Sequence, residues 1–247
     1  MKEKKIRPFL NGIAAMAVIA ALSGVQSAHA LEEVSITVDG NTQSFTAPNG
    51  QLASGSVTNF HGVTITATSL SNSPNTGGTS VFVLGSTIQV KDVDGLNHTV
   101  VISVGDTNFA APTTPPALSA LSSISGTVVI GGTSSSTISL QSYINQDNSQ
   151  NGTTGVTTGL QNTLTQGGLN AAGTYVLANG TATVGSLSTG YSMTSVTDIS
   201  LKAGANFNVS TQVSLTSVPE PSTMAIAGLG ALGMIGYGLR RRKALGA

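Results

Sequence analysis

Residues 33–46 read Glu-Val-Ser-Ile-Thr-Val-Asp-Gly-Asn-Thr-Gln-Ser-Phe-Thr, and this stretch decides the predicted fold. Val34, Ile36 and Val38 alternate with polar residues, which is the pattern of a half-buried strand. Asp39-Gly40 follows, and this dipeptide tolerates the positive φ angles of a two-residue hairpin turn. The stretch therefore predicts two antiparallel strands, each with one buried face.

The same alternation recurs along the rest of residues 31–218. Further runs lie at 63–66, 88–93, 100–104, 124–130, 138–144, 191–201 and 207–215. Asp94-Gly95 and Asn179-Gly180 each separate two such runs, so they predict two more hairpins, at 86–104 and 173–186. Roughly a dozen short strands with short loops predict an all-β domain, an antiparallel β-sandwich that is jelly-roll-like. A parallel β-solenoid is the alternative, although the sequence has no fixed repeat period.

Two stretches are predicted to be loops. Residues 110–116 (AAPTTPP) are rich in proline and predict a surface crossover. Residues 146–168 are rich in Asn, Gln, Gly and Thr, and they are long for a structureless loop in a compact domain. This second stretch either contains a weak strand near 156–164 or is a mobile surface loop. In both cases it is the best candidate for a binding or glycosylated region.

The N-terminal segment has the three parts of a secretory signal peptide. Residues 1–7 are basic, residues 13–22 are apolar, and Ala28 and Ala30 provide small residues at the −3 and −1 positions of a cleavage site. We predict a signal peptide over 1–30 that engages the Sec translocon. An uncleaved anchor is the alternative, but ten apolar residues make only ~15 Å of helix against a ~30 Å hydrocarbon core.

The C-terminal segment also has three parts in a defined order. Val218, Pro219, Glu220 and Pro221 form a Pro-bracketed segment whose backbone is held extended. Residues 224–239 carry no charge and predict a single transmembrane helix. The basic cluster that follows should stay cytoplasmic by the positive-inside rule; it comprises Arg240, Arg241, Arg242 and Lys243. A plain membrane anchor with a coincidental Pro-Glu-Pro is the alternative.

This order closely resembles the PEP-CTERM sorting signal of exported bacterial proteins, with the resemblance confined to residues 217–243. The resemblance implies processing by an exosortase, a membrane protease that would recognise Pro219-Glu220-Pro221. It also implies transient residence in the inner membrane, followed by transfer to the cell surface or the extracellular matrix of bacteria that make exopolysaccharide. The predicted organisation is thus a signal peptide at 1–30, an extracellular β-sandwich at 31–216 and a sorting segment at 217–247.

Composition excludes several classes of function for the middle of the chain. Residues 31–218 hold two lysines, no arginine and eight acidic residues, a net charge of −6. A nucleic-acid partner is therefore not expected, since it would require clustered Lys or Arg on the folded part. The absence of Cys excludes disulfides, thiolate metal sites and a Cys nucleophile. The absence of Trp weakens a lectin-like interpretation, because sugar rings stack on exposed aromatic side chains.

The middle of the chain offers few candidates for chemistry. Asp92, Asp94 and Asn97 form a weak candidate Ca²⁺ site, because they supply hard oxygen ligands. The simpler interpretation is that Asp94-Gly95 is a turn and that Asp92 faces solvent. His61 or His98 could join a Ser-His-Asp triad, but no catalytic motif supports one.

We therefore predict no catalytic residue, no cofactor and no enzymatic activity. The predicted role is structural or interactive, associated with exopolysaccharide; a polysaccharide-binding or Ca²⁺-dependent binding module is the alternative.

Overall fold

The computed structural model describes residues 31–48, 51–73, 78–113, 117–163, 168–218, 226–235 and 237. Ala28 and Ala30, Pro219-Glu220-Pro221 and the basic cluster 240–243 lie outside these residues. The described part contains fourteen strands. In chain order they are β1 (Leu31–Val38), β2 (Asn41–Pro48), β3 (Ala53–Phe60), β4 (Val63–Ser71), β5 (Ser80–Asp92), β6 (His98–Phe109), β7 (Ala117–Ile130), β8 (Thr137–Asn145), β9 (Val156–Thr157), β10 (Gln161–Asn162), β11 (Gly173–Val176), β12 (Gly180–Val184), β13 (Tyr191–Leu201) and β14 (Asn206–Val218).

The strands form two seven-stranded sheets that face each other. The first sheet has the order β10-β8-β13-β6-β1-β2, with β9 also beside β8. The second has the order β11-β7-β14-β5-β4-β3, with β12 also beside β7. Every strand pairing within the described residues is antiparallel. The predicted antiparallel sandwich is thus confirmed and the parallel solenoid is excluded, while the jelly-roll-like detail stays a prediction.

One of the three predicted hairpins forms as expected. β1 and β2 pair in register from Val38↔Asn41 to Leu31↔Pro48. Asp39 and Gly40 between them have φ angles of 48° and 84°, as a turn with two left-handed residues requires. The alternation read from residues 33–46 is therefore an accurate guide to this hairpin.

The other two predicted hairpins are wrong. β5 pairs with β4 and β14, whereas β6 pairs with β1 and β13, so the chain crosses between sheets at Asp94-Gly95. β11 and β12 do not pair with each other. Both pair with β7, at successive positions along it. Val176 pairs with Ser125 and Gly180 pairs with Ser122, so the chain advances four residues here while β7 advances three. The extra residue forms a bulge between β11 and β12, and Asn179-Gly180 lies at this bulge.

The structure describes residues 110–113 of the first predicted loop and residues 146–163 and 168 of the second. The Pro-rich stretch 110–116 joins β6 in the first sheet to β7 in the second, so it is a crossover, although Pro112 within it is buried. The 146–168 stretch contains two short strands, β9 and β10, which both add to β8 at the edge of the first sheet. The predicted weak strand near 156–164 is therefore present, as two fragments.

The core is a layer of branched aliphatic side chains between the sheets. In β1, Val34, Ile36 and Val38 are fully buried while the residues between them are partly exposed. On β6 the same alternation buries Val100 and Ile102. Because the side chains of a strand alternate in direction, each strand gives one row to this layer and one to the outer face.

Two carboxyl groups are buried in this core without a basic partner among the described residues. Glu32 on β1 and Asp106 on β6 are both 0% exposed. Ser71 on the opposite sheet joins them: its N–H donates to Glu32 Oε2 at 3.2 Å and its hydroxyl donates to Asp106 Oδ2. Ser69 also donates its hydroxyl to Glu32. Burial, reinforced by the nearby Asp106 charge, raises the pKa of Glu32 to about 7 and burial also raises the pKa of Asp106.

The sandwich has two distinct ends. β1 runs toward the Asp39-Gly40 turn, and β14 starts beside residues 202–205, which contact the loop after β5. Leu31 and Val218 therefore lie at the opposite end. We call the end with the Asp39 turn the distal end, because β14 extends about 40 Å from it to the start of the sorting segment at ~3.3 Å per residue.

The tail is only partly described. Residues 226–235 are helical, and the large apolar side chains of this helix are exposed. Among the residues that the structure describes, no helix combines the length and the hydropathy needed to cross a bilayer. The transmembrane helix over 224–239 stays a prediction.

Glu32→Gln should remove part of the pH dependence of stability. Because the folded state raises the pKa of Glu32 from 4.5 to about 7, folding favours the protonated form. The free energy of unfolding should fall as pH rises from about 4.5 through 7, by up to ~3 kcal/mol from this group. An amide mimics the protonated carboxyl, so the variant should lose less stability over that range.

The measurement is urea unfolding at several pH values between 5 and 8. The other titrating groups contribute equally to the pH dependence of the free energy of unfolding in both proteins, so the difference between variant and wild type reports Glu32. Glu33→Gln, one residue along β1 and directed away from the core, is the matched control and should retain the wild-type pH profile. Parallel profiles for wild type and Glu32→Gln would contradict the prediction.

Candidate functional site

Four connections meet at the distal end of the sandwich. They are the β1–β2 turn at 39–40, the β3–β4 turn at 61–62, the β5–β6 crossover at 93–97 and the β13–β14 loop at 202–205. The first residue of β6, His98, lies among them and is 7% exposed. We call His98 and the three carboxylates around it, Asp39, Asp92 and Asp94, the His98 cluster.

Both ring nitrogens of His98 face carboxylate oxygens. Nδ1 lies 2.8 Å from Asp39 Oδ2, and Nε2 lies 3.0 Å from Asp94 Oδ1. Asp92 Oδ1 is 3.6 Å from the same Nε2. Asp39 also accepts the backbone N–H of Thr99 at 2.9 Å, which fixes its carboxylate beside the ring. The ring is therefore held from two sides by separate loops.

Asp92 is the buried member of the cluster. Its side chain is 1% exposed, whereas those of Asp94 and Asp39 are 36% and 42% exposed. The Asp92 carboxylate accepts backbone N–H groups from Asp94, Gly95 and Gly204. It thereby ties the β5–β6 crossover to the β13–β14 loop. The expectation that Asp92 faces solvent is wrong, because the crossover folds the strand end inward.

The cluster alters the pKa values of its exposed members. The hydrogen bond from His98 is the main cause that lowers the pKa of both Asp39 and Asp94. Burial acts to lower the pKa of His98, but the hydrogen bonds and charges of Asp39 and Asp94 together outweigh it and raise the pKa. In the described part of the chain, ion pairs to these carboxylates come from His98 alone.

The structure brings together a different set of residues from the one that the sequence suggested. Asp92 and Asp94 lie together with His98, and one ligand atom from each of the three lies within 4.8 Å of the others. Asn97 Oδ1 accepts the backbone N–H of Ala203 at 3.1 Å. The sequence indicates only a turn role for Asp39. Its side chain meets His98 because β1 and β6 are neighbours, and that pairing cannot be read from local sequence.

The two histidines differ from the histidine of a Ser-His-Asp triad. In a triad one ring nitrogen faces a serine hydroxyl and the other faces a carboxylate. Both nitrogens of His98 face carboxylates instead. His61 is exposed in the β3–β4 turn and stacks edge-on against Phe60, with ring centroids 4.7 Å apart.

A second candidate lies on the side of the sandwich, within the stretch that the sequence singled out. Residues 158–162 and 177–181 enclose a groove of about 530 Å³, a size typical of ligand sites. Leu160 is 61% exposed at its rim. The groove lies where the edge of one sheet approaches the edge of the other, since β10 belongs to the first sheet and β12 to the second.

A buried polar network holds the two walls of this groove together. Ser122 on β7 donates its hydroxyl to Gln161 Oε1 at 2.8 Å and shares a hydrogen bond of 2.8 Å with the Thr158 hydroxyl. Gln161 Nε2 then donates to the backbone carbonyl of Ala178 at 2.5 Å. Gly180 leaves no room for a side chain, because an added Cβ would lie 2.6 Å from the Thr158 carbonyl oxygen. The groove is thus rigidly framed.

The sorting segment begins where the sheet ends. Val218 is the last residue of β14, pairs with Ala117 and is 42% exposed. Ser217 donates its backbone N–H to Thr79 at 2.9 Å. β14 lies between β7 and β5, so the segment is attached to a strand that is paired on both sides.

Gly62→Ala should destabilise the fold more than Gly40→Ala. Both glycines have left-handed backbones, with φ of 79° and 84°. A Cβ at Gly40 meets nothing within 4 Å, whereas one at Gly62 would overlap Asp94 Oδ2 and lie 2.8 Å from His98 Cε1. Gly40→Ala should cost ~1–2 kcal/mol from backbone strain alone. Gly62→Ala should cost ~3 kcal/mol or more, since it also displaces the His98 cluster. Equal losses in urea unfolding would show that the cluster is not tightly packed.

Three solved structures are similar to this chain at low sequence identity. A structure of TmCBM61 in complex with beta-1,4-galactotriose aligns with 67% of this chain and 89% of its own, at 9% identity and a TM-score of 0.32. A structure of infectious bursal disease virus, Gx strain, aligns over 78% of this chain and 52% of its own, at 8% identity and a TM-score of 0.29. The enzymatically active domain of bacteriophage CBA120 tailspike protein 4 aligns over 72% and 18%, at 9% identity and a TM-score of 0.21. None of these similarities assigns a ligand to this chain.

No curated protein matches the chain in sequence. A family model does match its C-terminal segment: residues 217–243 fit the PEP-CTERM protein-sorting motif. This motif implies export, processing by an exosortase and sorting to the cell surface. The match confirms the resemblance noted in the sequence, and it covers the C-terminal segment alone. The chain therefore carries, at residues 217–243, the sorting signal of PEP-CTERM proteins.

Proposed function

We propose that this protein is a surface or extracellular-matrix component with a structural or interaction role beside exopolysaccharide. The observation that carries the proposal is the PEP-CTERM motif at residues 217–243, joined without a spacer to the last strand of a β-sandwich. In this proposal the Sec translocon exports the chain, the helix at 224–239 holds it in the inner membrane, and an exosortase then acts at Pro219-Glu220-Pro221. The sandwich is the cargo that reaches the surface.

The attachment of the motif favours such processing. Val218 is at the rim of the second sheet and partly exposed. The two prolines that follow it cannot donate backbone hydrogen bonds and keep the residues before them extended. A protease binds its substrate as an extended strand, so a segment that its prolines keep extended is suited to cleavage. The strand ends where the processing segment begins.

The surface of the sandwich suits a matrix role better than an enzymatic one. Residues 31–218 contain 59 Ser and Thr against ten charged residues. Outward positions on β2, such as Thr42 and Ser44, are exposed hydroxyls. A hydroxyl-rich face with a modest negative charge stays soluble and hydrated among polysaccharide chains. The His98 cluster, with both ring nitrogens on carboxylates, also lacks the serine contact that nucleophilic hydrolysis would need.

A second candidate function is polysaccharide binding in the groove between 158–162 and 177–181. The observation that favours it is the size of the groove, about 530 Å³, together with its rigid hydrogen-bonded frame. Its walls offer backbone amides, Asn162, Asn179 and the exposed Leu160, a mixture that can contact both hydroxyls and the apolar face of a sugar ring.

The Pro219→Ala/Pro221→Ala variant should block sorting. In the native host, the wild-type protein should begin at Leu31, end near 219–221 and appear in the outer or extracellular fraction. The double variant should keep Ala247 and stay with the inner membrane, because its segment is no longer held extended. Mass spectrometry of both chain ends in each cell fraction measures this. Pro48→Ala, a proline at the end of β2, is the control. Release of the double variant with a wild-type end would overturn the proposed processing.

The groove candidate predicts that Leu160→Asp and Asn179→Ala each weaken polysaccharide binding at least tenfold. The probe is the exopolysaccharide purified from the host, measured by affinity electrophoresis. Both positions are exposed, so the fold should survive, as circular dichroism can verify. Leu52→Asp, also an exposed leucine but at the other edge of the sandwich, is the matched control. No retardation of the wild-type protein would remove this candidate and leave the first proposal standing.

A further inference from the structure

The His98 cluster contains more negative charge than its own residues can neutralise. Three carboxylates surround one imidazole, so even with the ring protonated the cluster carries a net charge of −2. Two members, His98 and Asp92, are buried, so water screens this charge poorly. Lys91 and Lys202 flank the loops, but neither forms an ion pair with the cluster in the described residues. Such an excess beside a buried imidazole favours the binding of a cation.

The arrangement of ligand atoms suits one particular kind of cation. One atom each from His98, Asp92 and Asp94 can be chosen so that all lie within 4.8 Å of one another. His98 Nε2 faces Asp94 Oδ1 at 3.0 Å and Asp92 Oδ1 at 3.6 Å. A metal ion about 2.0–2.2 Å from each ligand fits between three atoms at these separations. The Asp94 side chain is 36% exposed, so water can reach this side of the cluster.

Asp39 supplies the support that a metal-binding histidine requires. Metal-bound histidines donate their second ring N–H to a carboxylate or carbonyl, which fixes the tautomer and the ring orientation. The Asp39 carboxylate lies 2.8 Å from Nδ1 and is itself anchored by the Thr99 N–H at 2.9 Å. This contact favours the tautomer with the proton on Nδ1, which directs the lone pair of Nε2 toward Asp92 and Asp94.

We propose that Asp92, Asp94 and His98 form a binding site for a divalent transition ion of the Zn²⁺ type, with Asp39 as the positioning residue. The imidazole nitrogen distinguishes this site from a Ca²⁺ site, since Ca²⁺ takes six to eight oxygen ligands. Imidazole with two carboxylates suits Zn²⁺ and its neighbours. The bound ion would join the β5–β6 crossover to the first residue of β6 and, through Asp39, to the β1–β2 turn. The distal loops would thus be fixed by one ion.

Titration of the purified full chain with Zn²⁺, after treatment with a chelator, tests this directly. Isothermal titration calorimetry should give one Zn²⁺ per chain, and Ca²⁺ should bind at least tenfold more weakly. Zn²⁺ should also raise the Tm of the sandwich, because it binds only the folded cluster. Co²⁺ in place of Zn²⁺ should give visible absorption bands that report its ligands. No binding of Zn²⁺, or tighter binding of Ca²⁺ than of Zn²⁺, would overturn the proposal.

Variants identify the ligands. His98→Gln and Asp94→Asn should each weaken Zn²⁺ binding at least tenfold and alter the Co²⁺ spectrum, whereas Asp39→Asn should weaken binding less and keep the number of ligands. Asp147→Asn removes an equal charge from a remote, exposed loop and should change nothing. Because Asp94 is exposed, Asp94→Asn should fold even if His98→Gln does not. Wild-type Zn²⁺ affinity in Asp94→Asn would overturn the assignment of Asp94 as a metal ligand. The proposed sorting is tested separately, by mass spectrometry of the two chain ends, and does not depend on this result.

Discussion

The whole molecule depends on one layer of Val, Ile and Leu side chains held between two antiparallel sheets. The chain has few charges and many hydroxyl side chains, so this layer is its main source of apolar burial. Most inward residues are branched Val, Ile and Leu, which suit a strand, and Phe109, Tyr191 and Phe207 are the largest side chains buried among them. The inward faces of the strands are apolar, whereas most outward positions hold Ser, Thr or other polar residues.

Period-two alternation in the sequence predicts the class of this fold well, because side chains on a strand must alternate between core and solvent. Val34, Ile36 and Val38 illustrate this, since all three are fully buried. Turn chemistry predicts less. Asp39-Gly40 closes a hairpin, whereas Asp94-Gly95 lies in a crossover and Asn179-Gly180 lies at a bulge. The three dipeptides share the same local preference, and the partner of each flanking strand, which is a long-range property, decides the outcome.

In the candidate site, too, the local sequence predicts some features, and long-range strand pairing decides the others. The sequence identifies Asp92 and Asp94 as a carboxylate pair, because they are close in the chain. It cannot identify Asp39 as a partner of His98, because 59 positions separate them and only the pairing of β1 with β6 brings them together. The sorting segment is the opposite case. The PEP-CTERM motif is one contiguous segment and implies recognition by an exosortase, so it is visible in the sequence even though Pro219, Glu220 and Pro221 lie outside the described residues.

The position of β14 has a mechanical consequence for a domain tethered at its C-terminal end. A load applied through Val218 enters a strand that is hydrogen-bonded to β7 on one side and to β5 on the other. These bonds run nearly perpendicular to the strand, so a pull along it shears both ladders at once rather than opening them one bond at a time. An edge strand in the same place would peel away. If the tail is held in a membrane, as proposed, a pull on the sandwich would therefore act on one of its most resistant strands.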